Sequence, residues 1–181
     1  MGPSLDRSRG EPDPVSEFEQ LYERFRLPVY RAVRGIVLDA AAAEDLTQET
    51  FERAYKSREE YRGGSSPGAW LHRIAVNTAL SYLRRQRVAK LLLPKLYMPS
   101  TSAQEEVEDR SLAERALGVL SPKLRVVVVL SFYARMSRNE IARTLQIPPG
   151  TVASRLGAAL DAMRKALAEI DQEGRPERQG G

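Results

Sequence analysis

Residues 137–167 read SRNEIARTLQIPPGTVASRLGAALDAMRKAL, and the spacing within them decides the fold. Ser137 and Glu140 stand three apart, the pattern of a capping box, in which a hydroxyl and a carboxylate satisfy the first free N–H groups of a helix. Ile141, Ala142 and Leu145 then share one face. Ile147-Pro148-Pro149-Gly150 stops that helix and turns the chain, because proline has no N–H to donate and glycine accepts backbone that other residues avoid. A longer helix is predicted from Thr151, with Val152, Leu156, Leu160, Met163 and Leu167 at helical spacing. Short helix, tight turn and long helix make the layout of a helix-turn-helix, whose second helix enters the DNA major groove by its first residues. An ordinary helical hairpin in a small bundle has the same pattern and stays open as the alternative.

Upstream of this motif the periodicity is also helical, so the chain reads as all-α: two small helical domains joined by a flexible linker, the C-terminal one carrying the helix-turn-helix. Residues 1–15 read as a disordered leader rich in proline, glycine and charge, and 171–181 as a flexible tail. The N-terminal domain spans 16–90. Its first helix is predicted from Ser16, with Glu19 completing a capping box and Pro28 bending or dividing the helix. A second helix runs from Ala42 to Lys56 with Leu46, Thr50, Phe51 and Ala54 inward, and a third follows the loop YRGGSSPGA at 61–69. Residues 91–110 mix proline, small polar residues and an acidic run without a period, and read as the linker. The C-terminal domain spans 111–170. Its run VVVVL at 126–130 could pass for a strand, but Ser121-Pro122 ahead of it is a helix start, so a buried helix is predicted.

Composition excludes several function classes. The chain has no cysteine and one histidine, His72, so thiolate metal sites and thiol nucleophiles are excluded, and a Ser-His-Asp triad would hang on that one residue. No HExxH or GxSxG spacing surrounds it. Neither enzymatic activity nor a metal or cofactor is expected. No signal-peptide core and no run of about 18 apolar residues is present, which predicts a cytoplasmic protein without membrane insertion. Charge is segregated: 62–104 holds Arg62, Arg73, Arg84, Arg85, Arg87, Lys90 and Lys95 without a carboxylate, whereas 39–52 holds Asp39, Glu44, Asp45, Glu49 and Glu52 without a base.

At about 100° per residue, Asp45, Gln48, Glu49 and Glu52 share a helix face opposite Leu46 and Phe51. In the third helix, WLHRIAVNTALSYLRRQR at 70–87, the residues Leu71, Ile74, Ala75, Thr78 and Tyr82 form the packing side, while Arg73, Asn77 and Arg84 line another. Asparagine is a poor interior helix residue on an exposed strip, but its amide can pair with a base edge.

The phrase NEIARTLQIPPGTVASRL resembles the C-terminal DNA-binding domain of sigma factors, and AAAEDLTQETFERAY at 41–55 resembles their polymerase-binding helix. WLHRIAVNTALSYLRRQR resembles the minus-10-reading segment of the extracytoplasmic-function (ECF) class. The resemblance covers about 16–90 and 111–168, and implies a transcription initiation factor that directs core RNA polymerase to promoters. It implies as partners the beta and beta-prime subunits, promoter DNA and an anti-sigma factor. On it, Asp45, Gln48, Glu49 and Glu52 bind polymerase; Arg62, Arg73, Asn77, Arg84, Arg85 and Arg87 meet minus-10 DNA. Thr151, Ser154 and Arg155 reach the minus-35 element, and Arg138, Arg143, Arg164 and Lys165 contribute phosphate contacts. One departure stands out: Gly157, Ala158 and Ala159 occupy positions where such domains commonly carry bases, which predicts weaker or unusual minus-35 contacts. The rival reading is a helix-turn-helix regulator that binds duplex DNA without polymerase, and it leaves the acidic and Trp70–Arg87 segments without a role. A nucleic-acid-processing enzyme is the other, and lacks a catalytic cluster.

Overall fold

The structure, a computed structural model, describes residues 10–92 and 111–173. Among these, the regular elements are helical: α1 (Phe18–Val37), α2 (Ala40–Ser57), a 3-10 turn (Arg58–Glu60), α3 (Pro67–Leu92), α4 (Leu112–Gly118), α5 (Pro122–Phe132), α6 (Arg138–Leu145) and α7 (Pro149–Glu173).

In the N-terminal domain α1, α2 and α3 pack on one another. Pro28 lies inside α1 without dividing it. The capping box expected at Ser16 and Glu19 does not form: α1 begins two residues later with Glu17 at its N-cap and no side-chain cap bond. Asp13 organises the entry instead, its Oδ1 accepting from the Val15 and Ser16 N–H groups at 2.9 Å each. Residues 10–15, read as leader, are thus engaged with the domain. Glu11 goes further and accepts the Gly68 N–H at 2.9 Å, capping the first turn of α3 from 57 residues away. Gly68 is required there, since a Cβ would stand 2.6 Å from the Phe25 ring. Residues 1–9, 93–110 and 174–181 lie outside the described residues; of the linker read at 91–110 the first two residues belong to α3, and of the tail read at 171–181 the first three belong to α7.

The start of α2 is a true cap, with Asp39 accepting the Ala42 N–H at 2.8 Å, and Leu46, Thr50, Phe51 and Ala54 are buried as predicted. On α3 the packing side is wider than the sequence suggests. Leu71, Ala75 and Thr78 are buried, but so are His72, Val76 and Ala79, while Ile74 and Tyr82 sit half-exposed.

His72 Nδ1 pairs with the Gly68 carbonyl at 2.7 Å, while its buried Nε2 has no hydrogen-bond partner. Burial holds its pKa below 6.5, the Gly68 bond opposing this weakly. The unfolded chain therefore takes up a proton at higher pH than the folded one, so stability is full above about pH 6.5 and falls as the pH drops below it. Because the chain has one histidine, urea denaturation at pH 7.5 and 5.8 isolates the effect, and His72→Gln flattens the difference.

In the C-terminal domain Val126–Leu130 are buried within α5, as predicted for a helix and not a strand. The Ser137–Glu140 capping box forms in both directions, at 2.7 and 3.3 Å. α6 ends in a Schellman motif: Gln146 takes φ 53°, its N–H bonds back into the last turn, and the Ile147 N–H reaches the Ala142 carbonyl at 3.0 Å. α7 starts at Pro149, two residues before the predicted Thr151, because proline is well placed in a first turn where no N–H is needed. Its buried side also shifts. Val152, Ala159 and Ala166 are buried with Leu156 and Met163 partly so, whereas Leu160, counted inward from the sequence, is 36% exposed.

The two domains do not stand apart. A single buried cluster runs from Leu21, Ile36 and Leu71 through Val127, Leu130 and Ile141. α5 packs on α1, and α6 on α3.

Candidate nucleic-acid interface

The α3 strip is built by the helix period. Arg73, Asn77 and Arg84 fall within about 40° of one another at 100° per residue, opposite the buried His72–Ala75–Val76–Ala79 side. All three are exposed, as are Arg62, Arg85 and Arg87. Arg87 joins their face, whereas Arg85 points about 100° away from Arg84. Arg62, whose Nη1 donates to the Glu59 carbonyl at 2.9 Å, stands in the loop ahead of α3. That loop is stiffened from within: the Tyr61 hydroxyl donates to the Ser65 carbonyl, Tyr61 packs on Trp70 with ring centroids 5.5 Å apart, and Ser66 Oγ accepts from Ala69. Burial, with Glu11 and Asp13 nearby, pushes the Tyr61 phenol up, so it stays neutral. The result is a rigid loop leading onto a cationic helix face with one amide in it.

A second surface lies across α1 and α2. Tyr22, Arg26, Leu27, Tyr30, Glu44, Thr47, Gln48, Phe51, Glu52, Tyr55 and Lys56 line a groove of about 860 Å³. Leu27 and Tyr55 are half exposed. The sequence-predicted set divides here: Gln48 and Glu52, hydrogen-bonded at 3.0 Å, edge the groove, while Asp45 and Glu49 face away from it. Glu49 is paired with Arg53 at 2.6 Å. Leu27 and Tyr55 were not singled out from the sequence, and Glu44 was named only as part of the acidic run; an exposed leucine and tyrosine beside acidic residues is the signal that finds the groove.

The third surface is the start of α7. Ser154 is exposed, Thr151 and Arg155 are half-exposed, and the Ser154 hydroxyl donates to the Thr151 carbonyl at 3.1 Å. Arg138 is exposed at the first turn of α6. Lys165 falls on the Thr151–Arg155 side of the helix, but Arg164 lies on the far side and pairs with Asp161 at 2.8 Å. The Gly157-Ala158-Ala159 departure has a partly structural cause: Ala159 is fully buried, so no base could stand there. Gly157 and Ala158 are exposed, with open space where a Cβ at Gly157 would sit.

A helical protein with a helix-turn-helix, a cationic amide-bearing helix and an acidic, apolar-lined groove has surfaces of the chemistry that suits DNA and a protein partner, and no cluster of catalytic groups among the described residues. The models for Sigma-70 region 2 and Sigma-70 region 4 match residues 21–88 and 110–163. Among similar proteins, the RNA polymerase sigma-E factor of Streptomyces coelicolor is 33% identical over 162 residues, covering 89% of this chain and 92% of that one. The ECF RNA polymerase sigma factor SigL of Mycobacterium tuberculosis is 35% identical over 156 residues, with 83% and 88% covered. The structure of CnrH in complex with the cytosolic domain of CnrY matches at TM-score 0.62 and 25% identity, covering 87% of this chain and 89% of that one. Sigma factor RpoE in complex with the anti-sigma factor NepR from Bartonella quintana shares the fold at TM-score 0.69 and 21% identity, with 83% and 96% covered.

The chain belongs to the sigma-70 family of RNA polymerase sigma factors, in its ECF class. It is a transcription initiation factor and not an enzyme. Among the described residues no helix is long and apolar enough to cross a membrane.

Proposed function

We propose that the three surfaces divide the work of initiation. The α1–α2 groove docks core polymerase through Gln48 and Glu52 with Leu27 and Tyr55, and Asp45 and Glu49 add long-range charge. The loop with Arg62 and the α3 face of Arg73, Asn77, Arg84 and Arg87, with Arg85 beside it, melts and reads the minus-10 element. The start of α7, through Thr151, Ser154 and Arg155, reads the minus-35 element, with phosphate contacts from Arg138 and Lys165 and a weaker one from the Asp161-paired Arg164. The observation that carries this reading is the co-alignment of Arg73, Asn77 and Arg84 on one exposed face of α3, opposite its buried side. By likeness to CnrH and RpoE, whose structures hold a bound partner, an anti-sigma factor restrains the protein in the cytoplasm.

The test is reconstitution with core polymerase on promoter templates. Specific run-off transcripts that appear only when both proteins are present support the reading; duplex binding without transcripts would favour a polymerase-independent regulator. Replacing Glu52 by Lys together with Leu27 by Asp weakens core binding roughly 30-fold, the effect of losing one interface hot spot of about 2 kcal/mol. Unchanged core affinity would remove the groove from the docking site. For the minus-35 surface, Ala158→Lys is expected to steepen the dependence of log affinity on log salt by about 0.9, the share of one phosphate contact. Gly157→Ala, on the other side of the helix, raises stability by about 1 kcal/mol and leaves that slope alone.

A further inference from the structure

The segment ahead of α1 is tied into the fold, and one of its ties bears on the loop that leads onto the α3 strip. The Arg24 guanidinium donates to the Gly10 carbonyl. The Asp13 N–H donates to Glu17 Oε2 at 2.9 Å, and the Glu17 N–H returns to the Asp13 carbonyl at 2.9 Å. Pro14, next along, is buried. With Gly10 and Asp13 fixed to α1, the Glu11 side chain reaches across to α3 and completes the donors of its first turn. Pro67 has no N–H, Ser66 Oγ accepts from Ala69 at 3.2 Å, and the Ser66 carbonyl accepts from Trp70 at 3.0 Å. The Gly68 N–H is the donor that Ser66 leaves over, and Glu11 Oε2 takes it, with its charge at the positive end of the helix. Phe25 of α1 crowds the same residue, so this turn is held by α1 and Glu11 together. The loop at 61–66 hangs from that turn. At its other end stands Tyr61, whose phenol is pushed up by burial and then by the charges of Glu11 and Asp13, so both ends of the loop feel the leading segment.

We propose that Glu11 is a positioning residue for promoter reading: by capping Gly68 it fixes the 61–66 loop against α3, and so sets how the loop receives an unpaired base without itself touching DNA. The promoter role rests on the minus-10 reading given above; the brace does not. A binding loop is only as well placed as the groups that hold it from behind, and here one of those groups comes from a stretch that precedes the first helix.

Trp70 is the only tryptophan of the chain and packs on Tyr61, so its emission reports on the loop in the full-length protein without DNA or polymerase. In Glu11→Ala the emission is expected to move to the red and acrylamide quenching to rise, with helical circular dichroism unchanged; an unaltered Trp70 signal would overturn the brace. With core polymerase, Glu11→Ala is expected to bind core normally and to open the promoter about 5-fold more slowly, the share of one hydrogen bond to a charged group. Glu11→Gln, whose amide oxygen still accepts the Gly68 N–H, recovers most of that rate, and Glu11→Lys, which sets a cation at the positive helix end, falls further. A general fold defect slows opening equally on every template. Lost positioning instead narrows the ratio of opening rates between the promoter and the same promoter with single minus-10 bases changed. Normal opening with an unchanged ratio, beside an altered Trp70 signal, would end the promoter role and leave only the brace. Asn77→Ala in the same assay tells that failure from a failure of the minus-10 reading: if it too opens promoters normally, the reading itself has failed.

Discussion

Replacing Asn77 by Ala reduces open-complex formation by roughly 5- to 150-fold, the range for an amide–base pair worth about 1–3 kcal/mol, while core binding stays unchanged. The size follows from where Asn77 stands. It is exposed on a helix whose opposite side is buried, so the substitution removes no packing, and alanine is the better helix former. Stability is therefore level or slightly raised, which separates loss of reading from loss of fold. Arg84→Ala on the same face removes a charge without touching the core, and flattens the salt dependence of single-strand binding by about 0.7. The comparison that decides between them is a pre-melted promoter bubble. If Asn77 holds an unpaired base, its variant stays defective on the bubble, because the lost contact is with the base itself. If it assists only the melting step, the bubble restores activity. Promoter opening at the normal rate by Asn77→Ala on duplex DNA would sink the assignment, and the amide would then be a tolerated surface residue.

What was legible in the sequence shares a cause: it depends on neighbours a turn or two away. The Ser137–Glu140 box, the burial of Val126–Leu130, the inward Leu46 and Phe51 and the alignment of Arg73 with Asn77 all follow from the helix period. What was missed depends on residues far apart in the chain. Glu11 lies in a stretch that looks like loose leader, and is ordered because α3 presents a free N–H at Gly68. Leu160 looks like a core residue by spacing, yet Ala159 is the buried one, because α7 meets other helices closely enough to favour a small side chain. The α1–α2 groove was half legible: polar residues at helical spacing picked out Gln48 and Glu52, but only the packing of α1 against α2 shows that Leu27 and Tyr55 share their surface.

Arg125 is the sharpest such case, and its removal is expected to cost the most stability. In the sequence it stands between Leu124 and four valines, and an arginine is ordinarily found exposed. It is buried instead, donating to the Leu117 carbonyl at 3.1 Å, the Leu120 carbonyl at 2.9 Å and the Ile36 carbonyl at 2.7 Å. Leu117 and Ile36 lie in the last turns of α4 and α1, where the helix dipole favours a cation, and the Leu117 carbonyl also accepts the Leu120 N–H at 3.1 Å. Arg125→Met keeps the length of the stem and leaves the Ile36 and Leu120 carbonyls facing apolar surroundings, while Leu117 keeps its bond from the Leu120 N–H. At about 1–3 kcal/mol for each unsatisfied buried group, partly relieved by water, the loss is about 3 kcal/mol or more. For a chain of this size that corresponds to a fall of about 6–12 °C in the melting temperature. Arg125→Lys separates charge from geometry, because an ammonium keeps the cation but lacks the planar fork that spans several acceptors, so it recovers only part of the loss. A melting temperature for Arg125→Met within about 2 °C of the unmodified protein would show that the carbonyls are solvated in solution.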